Sequence, residues 1–98
     1  MNKNINKLIE YPKEGILSKE VYKDDKLEIT LFCMASGTKI GEHTSSKKAL
    51  VHVIEGDGKF RLGNKNVEMN PGVLINMKKN ESHGLEADKN TSFILCLY

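Results

Sequence analysis

The sequence predicts an all-β domain, either a sandwich or a small closed barrel of antiparallel strands, and three observations lead to this prediction. From Ile16 onward, apolar residues alternate with polar ones in short stretches. Turn residues such as Gly56-Asp57-Gly58 and Asn70-Pro71-Gly72 separate these stretches at regular intervals. Almost no stretch is long enough to show the 3.6-residue period of a helix. The chain has 98 residues, which is the size of a single domain.

The alternation predicts eight or nine strands of about five residues. They are expected at residues 16–22, 27–35, 40–44, 50–55, 60–62, 67–69, 73–77, 82–87 and 91–98. Residues 50–55 form the most β-prone run of the chain. The second strand is expected to carry Leu31 and Cys33 on one face and Phe32 and Met34 on the other. A sheet with so many short strands hides its edges by closing or by pairing across a dimer.

The first residues differ from the rest of the chain. Ile5, Leu8 and Ile9 have helical spacing before Tyr11-Pro12 breaks the run. Residues 1–15 therefore form either a short helix or an arm that contacts a partner chain, and residues 16–98 form the barrel domain. We expect a homodimer in which this segment packs on the sheet of the partner.

Composition excludes several classes of function. The formal net charge is only +2, and Arg61 is the single arginine among fifteen basic residues. Guanidinium groups, which bind phosphate and guanine through paired hydrogen bonds, are therefore nearly absent, and a nucleic-acid-binding function is not expected. No stretch approaches the roughly 18 apolar residues of a membrane span. With no export signal, we expect a cytoplasmic protein in which Cys33 and Cys96 are reduced thiols.

Three residues stand out as candidates for chemistry. His43 and Ser45 lie two positions apart on an extended segment, so their side chains are expected on one face at roughly 7 Å. His83 joins them only through the fold. A hydroxyl and two imidazoles that converge in this way can hydrogen-bond a small ligand or hold an ion.

Two blocks of the sequence resemble the signatures of the cupin superfamily. The first runs from Gly37 and His43 to Gly56-Asp57-Gly58, and the second joins Asn70-Pro71-Gly72 to His83. The resemblance covers residues 27–98 almost without gaps. It implies a small antiparallel β-barrel of the jelly-roll type (a double-stranded β-helix), commonly dimeric.

The resemblance also implies a metal site, and this sequence departs from it. Metal-binding cupins place three histidines and a glutamate in the barrel. His43 matches the first histidine and His83 the last, whereas Ser45 stands at the second and Ala49 or Lys48 at the glutamate. His52 does not replace them, because strand alternation turns it to the opposite face from Val51 and Val53.

Three hypotheses follow for function. The first is a small polar or anionic molecule bound in the barrel, with His43, Ser45 and His83 at the mouth and Val51, Val53 and Leu85 behind them. The second is a metal-dependent enzyme, such as a dioxygenase or isomerase, in which His43 and His83 hold a divalent Zn, Fe, Mn or Ni ion. The third is an accessory or regulatory dimer whose barrel is collapsed. Whether the protein is an enzyme stays open at this point.

Overall fold

Nine β-strands and one short 3₁₀ helix make up the protein in a computed structural model, which describes residues 2–98. The helix spans Ile5–Leu8, and the strands are β1 (Ile16–Lys23), β2 (Glu28–Met34), β3 (Lys39–His43), β4 (Ala49–Glu55), β5 (Gly58–Leu62), β6 (Lys65–Met69), β7 (Leu74–Met77), β8 (His83–Ala87) and β9 (Thr91–Leu97). The predicted all-β fold is confirmed. Residue 1, the first of the predicted segment 1–15, lies outside the described residues.

Two antiparallel sheets face each other. The larger sheet has five strands in the order β1-β2-β9-β4-β7, and the smaller has four in the order β3-β8-β5-β6. Consecutive strands pair in β1–β2 and β5–β6, whereas β4 pairs with β9 and β3 with β8, which are distant in the chain. This is the jelly-roll arrangement expected from the sequence.

The main core lies between the two sheets. It consists of eleven buried residues: Met34, Ala49, Val51, Val53, Phe60, Met69, Ile75, Met77, Leu85, Ala87 and Phe93. Strand alternation supplies them, as the burial of β4 shows. Ala49, Val51 and Val53 point inward, whereas His52 is exposed on the other face. The predicted orientation of His52 is therefore confirmed.

The turn between β4 and β5 requires glycine at its first position. Gly56 has a φ of 111°, a conformation that side chains rarely tolerate. A Cβ atom at Gly56 would also lie 2.5 Å from the carbonyl oxygen of Asn90. The turn can therefore pass close to the β8–β9 connection only because residue 56 has no side chain.

A second, smaller apolar cluster lies on the outer face of the larger sheet. Its buried residues are Val21, Leu31 and Cys33, and the N-terminal residues Ile5, Leu8, Ile9 and Tyr11 pack against them. The Nζ atom of Lys19 donates a hydrogen bond of 2.8 Å to the carbonyl oxygen of Leu8. The segment thus covers the sheet of its own chain, because β2 is apolar on both faces. The contact of this segment with a partner's sheet and the homodimer both stay predictions.

None of the helices among the described residues is long and apolar enough to cross a membrane. Cys33 and Cys96 are both free, and Cys33 is buried.

Candidate ligand-binding site

A cavity of about 130 Å³ lies between the sheets at the end of the barrel where β3 ends and β8 begins. Eight apolar side chains and two imidazoles line it: Phe32, Ile40, Val51, Phe60, Met77, Leu85, Phe93, Leu95, His43 and His83. Phe32 and Phe93 stack on each other across β2 and β9, with ring centroids 5.2 Å apart. The cavity therefore has an apolar interior in which the imidazoles are the polar side chains.

An irregularity in β3 brings His43 to this cavity. Ile40 pairs with Leu85, and His43 pairs with His83. Three steps along β3 therefore lie beside only two steps along β8. In a regular strand, residues three apart point to opposite faces. The extra residue in β3 is a β-bulge that restores His43 to the face of Ile40. Without this bulge, His43 would point to solvent.

The two imidazoles form a close pair of unequal burial. Their ring centroids are 4.1 Å apart, with an angle of 61° between the planes. His83 is only 7% exposed, and its ring lies parallel to that of Phe60 at 6.0 Å between centroids. His43 is exposed. His83 therefore belongs to the interior of the cavity and His43 to its mouth.

Backbone hydrogen bonds orient both rings in the same way. The Nδ1 atom of His43 lies 3.0 Å from the carbonyl oxygen of Gly41, and the Nδ1 atom of His83 lies 3.0 Å from that of Glu81. A carbonyl oxygen can only accept, so each Nδ1 carries the hydrogen and donates it. In the neutral ring, the Nε2 atom then has an unshared lone pair. The pair presents two hydrogen-bond acceptors that are free to meet a ligand.

Gly84 permits the close approach of β3 to β8 beside the imidazoles. A Cβ atom at Gly84 would lie 3.0 Å from the carbonyl oxygen of Ile40 and 3.3 Å from the amide nitrogen of Glu42. Both are backbone atoms of the bulged segment. A larger residue at position 84 would therefore push the bulge, and His43 with it, away from His83.

The other predicted site residues lie in three different places. Val51 and Leu85 line the cavity, as His43 and His83 do. Val53 is fully buried in the core and does not line the cavity. Ser45 lies in the loop after β3, where its Oγ atom accepts a hydrogen bond from the backbone of Lys47 at 3.2 Å. Ser45 is outside the cavity because β3 ends at His43, so the extended spacing does not continue.

Six lining residues were not predicted: Phe32, Ile40, Phe60, Met77, Phe93 and Leu95. Alternation within their strands carries part of the signal, since Phe93 and Leu95 share one face of β9, as do Phe60 and Leu62 on β5. What alternation does not give is which end of the barrel each residue occupies. That depends on the register between strands.

A larger depression of about 300 Å³ lies on the outer face of the smaller sheet. It contains neither imidazole, and its charged side chains are already paired. Glu42 lies 3.1 Å from Arg61, and Glu86 lies 3.8 Å from Lys39. The third positive side chain, Lys59, lies 4.0 Å from Asp88, outside the depression. Because these charges already have partners, we place the candidate site in the smaller cavity between the sheets.

Comparison with known families identifies the fold. A family model described as the cupin domain matches residues 30–98. The chain belongs to the cupin family. No curated protein has a matching sequence.

Solved structures resemble this cupin over nearly its whole length. A conserved protein of unknown function from Streptococcus pyogenes superposes with a TM-score of 0.88 and 22% identity over 99% of this chain and 85% of that one. A Cupin 2 conserved barrel domain protein from Leptotrichia buccalis gives 0.89 and 27%, over 97% of this chain and 46% of that one. KdgF from Halomonas gives 0.81 and 19%, over 85% and 79%. These likenesses support the fold.

Metal ions are frequent in cupins, but the donor set here does not fit an ion held by three or more protein ligands. Among residues 2–98, no group of three or more His, Cys, Asp or Glu side chains is placed to hold a metal. Ala49, at the position where the resemblance places a glutamate, is 2% exposed in the apolar core. A catalytic zinc site usually has three protein ligands. The two Nε2 atoms supply two.

Proposed function

We propose that this cupin binds one small molecule in the cavity between its sheets. The apolar body of the ligand packs against the eight apolar side chains, and a hydroxyl of the ligand donates its hydrogen to the Nε2 atom of His83, the more buried ring of the pair. The observation that carries the proposal is the pairing of an apolar cavity with two imidazoles whose Nδ1 atoms are already engaged. The sequence led us to expect a small polar or anionic ligand, and this proposal restricts that class to molecules with an apolar body and a hydrogen-bond donor.

The size of the cavity limits the ligand. At about 130 Å³, the cavity is close to the roughly 150 Å³ of an apolar cavity that binds benzene. Binding sites for drug-sized molecules are several times larger, at about 300–1,000 Å³. The part of the ligand that is enclosed is therefore about the size of a six-membered ring.

The polarity of the cavity favours a ligand that donates. A buried acceptor without a partner costs about 1–3 kcal/mol, and His83 is nearly buried. Solvent reaches the Nε2 atom of His83 in the open cavity. An apolar ligand that excludes this water leaves the atom unpaired and incurs that cost, whereas a ligand hydroxyl takes the place of the water. Such a site discriminates strongly between two molecules that differ only in one donor group.

Phenol and toluene form a suitable pair of probes, because both have one aromatic ring and only phenol donates a hydrogen bond. Titrations followed by NMR are expected to show that phenol shifts the resonances of Val51, Leu85 and Leu95, which line the cavity. His83→Phe keeps a flat ring beside Phe60 and removes both nitrogens. We expect it to weaken phenol binding about tenfold, as for the loss of one hydrogen bond, and to strengthen toluene binding, because toluene then leaves no acceptor on residue 83 unpaired.

His52→Phe is the matched control, since His52 is exposed on the outer face of β4. It is expected to change neither titration. The proposal would be overturned if phenol shifted resonances outside the cavity, or if phenol and toluene bound equally well to the wild-type protein.

The open cavity also bears on the third hypothesis, in which an accessory dimer has a collapsed barrel. A cavity with two oriented imidazoles supports binding rather than collapse.

A homodimer is compatible with this proposal. The strand β7 is at the edge of the larger sheet, and its Leu74 is 61% exposed. We therefore place the dimer contact at this edge.

A further inference from the structure

The free thiol of Cys33 is buried beneath the N-terminal segment, residues 2–12. Cys33 belongs to the apolar cluster on the outer face of the larger sheet, and 0% of its surface is exposed. The residues of the segment that pack against this cluster are Ile5, Leu8, Ile9 and Tyr11. A reagent in solution can therefore reach this thiol only when the segment moves away or when the whole domain unfolds.

The segment is attached to the domain more weakly than the strands are to one another. Its 3₁₀ helix contains no buried residue, and within residues 2–98 no backbone hydrogen bond joins the segment to a strand. Side chains form the hydrogen bonds between segment and sheet: Lys3 with the carbonyl oxygen of Val21 at 2.9 Å, Lys19 with that of Leu8 at 2.8 Å, and Tyr11 with Glu55 at 2.6 Å. Segments with few buried contacts open at a lower free energy than the core of a domain. The segment is therefore expected to open while the barrel stays folded.

A buried hydroxyl beside Cys33 lacks a hydrogen-bond partner under the closed segment. Ser92 is directly opposite Cys33 in the pairing of β2 with β9, so the two side chains lie on the same face of the sheet. Ser92 is 0% exposed. Its Oγ atom is near the Tyr11 hydroxyl, yet no group among residues 2–98 forms a hydrogen bond with it.

This hydroxyl lowers the free energy of opening at the end of the segment that lies over Cys33. A buried hydroxyl without a partner destabilises the closed form, because it has lost its hydrogen bonds to water. When Tyr11 moves away, water reaches the Oγ atom of Ser92 and restores them. The same movement uncovers Cys33, which is close to the Tyr11 ring.

We infer that residues 2–12 act as a movable cover over Cys33, and that a small disulfide which reacts with the uncovered thiol prevents the cover from closing. In the reaction the Cys33 thiol loses its proton to solvent, and its sulfur forms a bond with one sulfur of the reagent. The disulfide bond of the reagent breaks, and its other half leaves as a thiolate. Cys33 is oxidised to a mixed disulfide, the leaving half is reduced, and an excess of free thiol reverses the exchange. The inference does not depend on the ligand of the cavity.

Close packing explains why the modified residue cannot be covered again. The interior of a protein has no spare room for a group larger than a thiol at a fully buried position. Glutathione also carries charges, and the burial of charges without partners is costly. The redox state of Cys33 would then decide whether the apolar surface of Val21 and Leu31, which belong to the same cluster, is covered or exposed.

The rate at which Cys33 reacts measures the opening of the segment. The chain has two cysteines, and Cys96→Ser replaces the half-exposed one and leaves Cys33 as the only thiol. The reaction of this variant with dithiobis(nitrobenzoate) is followed by the absorbance of the released thiolate. At low urea concentration the rate is expected to exceed the rate set by global unfolding, and to change little with urea, because opening of the segment exposes little surface.

Two further substitutions in this Cys96→Ser background separate the segment from the barrel. Leu8→Ala removes apolar contacts between the segment and the covered cluster, and we expect it to raise the reaction rate of Cys33 about tenfold. Val67→Ala is the matched control, since Val67 packs against the main core from β6, and it is expected to leave the rate unchanged. A steep dependence on urea, with equal acceleration by both substitutions, would show that Cys33 reacts only after global unfolding and would overturn the inference.

Glutathione disulfide tests whether modification keeps the segment open. After Cys33 of the Cys96→Ser protein has reacted, the methyl NMR resonances of Leu8 and Ile9 are expected to move to the positions of an unfolded chain. Those of Val51 and Leu85, in the main core, are expected to stay in place. An excess of free thiol is expected to restore the original spectrum.

Cys33→Ala provides the control for this step. Its remaining thiol, that of Cys96, takes up glutathione at a half-exposed position outside the covered cluster, so the resonances of Leu8 and Ile9 are expected not to move. The inference is overturned if these two resonances keep their native positions when Cys33 carries glutathione. It is also overturned if the resonances of the main core are lost at the same time, since the modification then unfolds the whole domain.

Discussion

His43 and His83 lie opposite each other on β3 and β8 with ring centroids 4.1 Å apart, yet they differ in burial. His83 is 7% exposed and packs beside Phe60, whereas His43 is exposed at the mouth of the cavity. Substitution of His83 is therefore expected to affect the stability of the fold, whereas substitution of His43 is not.

His83→Ala is expected to lower the free energy of unfolding by about 1–3 kcal/mol, because it removes buried contacts and a hydrogen bond to the carbonyl oxygen of Glu81. His43→Ala is expected to change it by no more than about 0.5 kcal/mol, as at other exposed sites. Urea denaturation followed by circular dichroism measures both. Equal losses for the two variants would contradict the assigned burial.

A substitution that fills the cavity distinguishes an effect on ligand binding from an effect on stability. Val51→Met places a longer, flexible side chain into a space of about 130 Å³, which it can enter without displacing the core. We expect the midpoint of thermal unfolding to hold or rise, since filled cavities commonly add about 0.5–2 kcal/mol, while phenol binding is lost. Val53→Met, at a buried core position that does not line the cavity, is expected to lower stability instead. A Val51→Met protein that binds phenol normally would exclude this cavity as the site.

The sequence predicts the faces of the strands better than it predicts the site. Alternation correctly places Val51 inside and His52 outside, because β4 is regular where it passes the core. It fails on β3, where one extra residue reverses the alternation between Ile40 and His43. The position of Ser45 was missed for a related reason, since the extended segment ends at His43 and a loop begins.

The cavity wall depends on contacts between residues far apart in the sequence. Phe32 meets Phe93 only because β2 and β9 are neighbours with that register. The resemblance to cupins implies the architecture and the two histidines, and the register and the bulge decide which other side chains face them. Tertiary pairing, rather than local pattern, therefore sets the shape and polarity of the site.

Chelation is expected to leave the stability of the protein unchanged. The two imidazoles are the available metal ligands at the cavity, and none of the described side chains supplies a third ligand there. The binding free energy of an ion is therefore too small to stabilise the fold. The measurement is the midpoint of thermal unfolding before and after dialysis against EDTA, with elemental analysis of untagged protein. Retention of about one ion per chain after dialysis, together with a lower midpoint once it is removed, would contradict this prediction.

Deleting residues 2–12 is expected to expose the outer apolar cluster of Val21, Leu31 and Cys33, which these residues cover. The shortened protein is then expected to bind a hydrophobic dye, to unfold at lower urea concentration and to self-associate. If the segment instead crosses to a partner's sheet in an exchanged dimer, its deletion converts the dimer to a monomer. Sedimentation velocity of the full-length and shortened proteins distinguishes the two arrangements.

Tyr11 anchors this segment through a hydrogen bond that depends on pH. Its hydroxyl donates to the Oε1 atom of Glu55 at 2.6 Å. Burial, and then this contact with Glu55, raises the pKa of Tyr11 from 10.0 to about 12. Because the pKa is higher in the folded protein, the protonated hydroxyl stabilises the fold, and this contribution is complete below the unfolded pKa of 10.0 and disappears as the pH rises through about 12.

Tyr11→Phe removes the hydroxyl and with it this dependence on pH. The variant is expected to be less stable than the wild type by a constant amount below the unfolded pKa of 10.0, and the difference is expected to shrink as the pH approaches about 12. Deprotonation of lysines and of the other tyrosines affects both proteins, so it cancels when their urea midpoints are compared at each pH. The absence of any difference between the two proteins at every pH would mean that Tyr11 contributes through the packing of its ring alone, and that the contact with Glu55 does not hold the segment on the sheet.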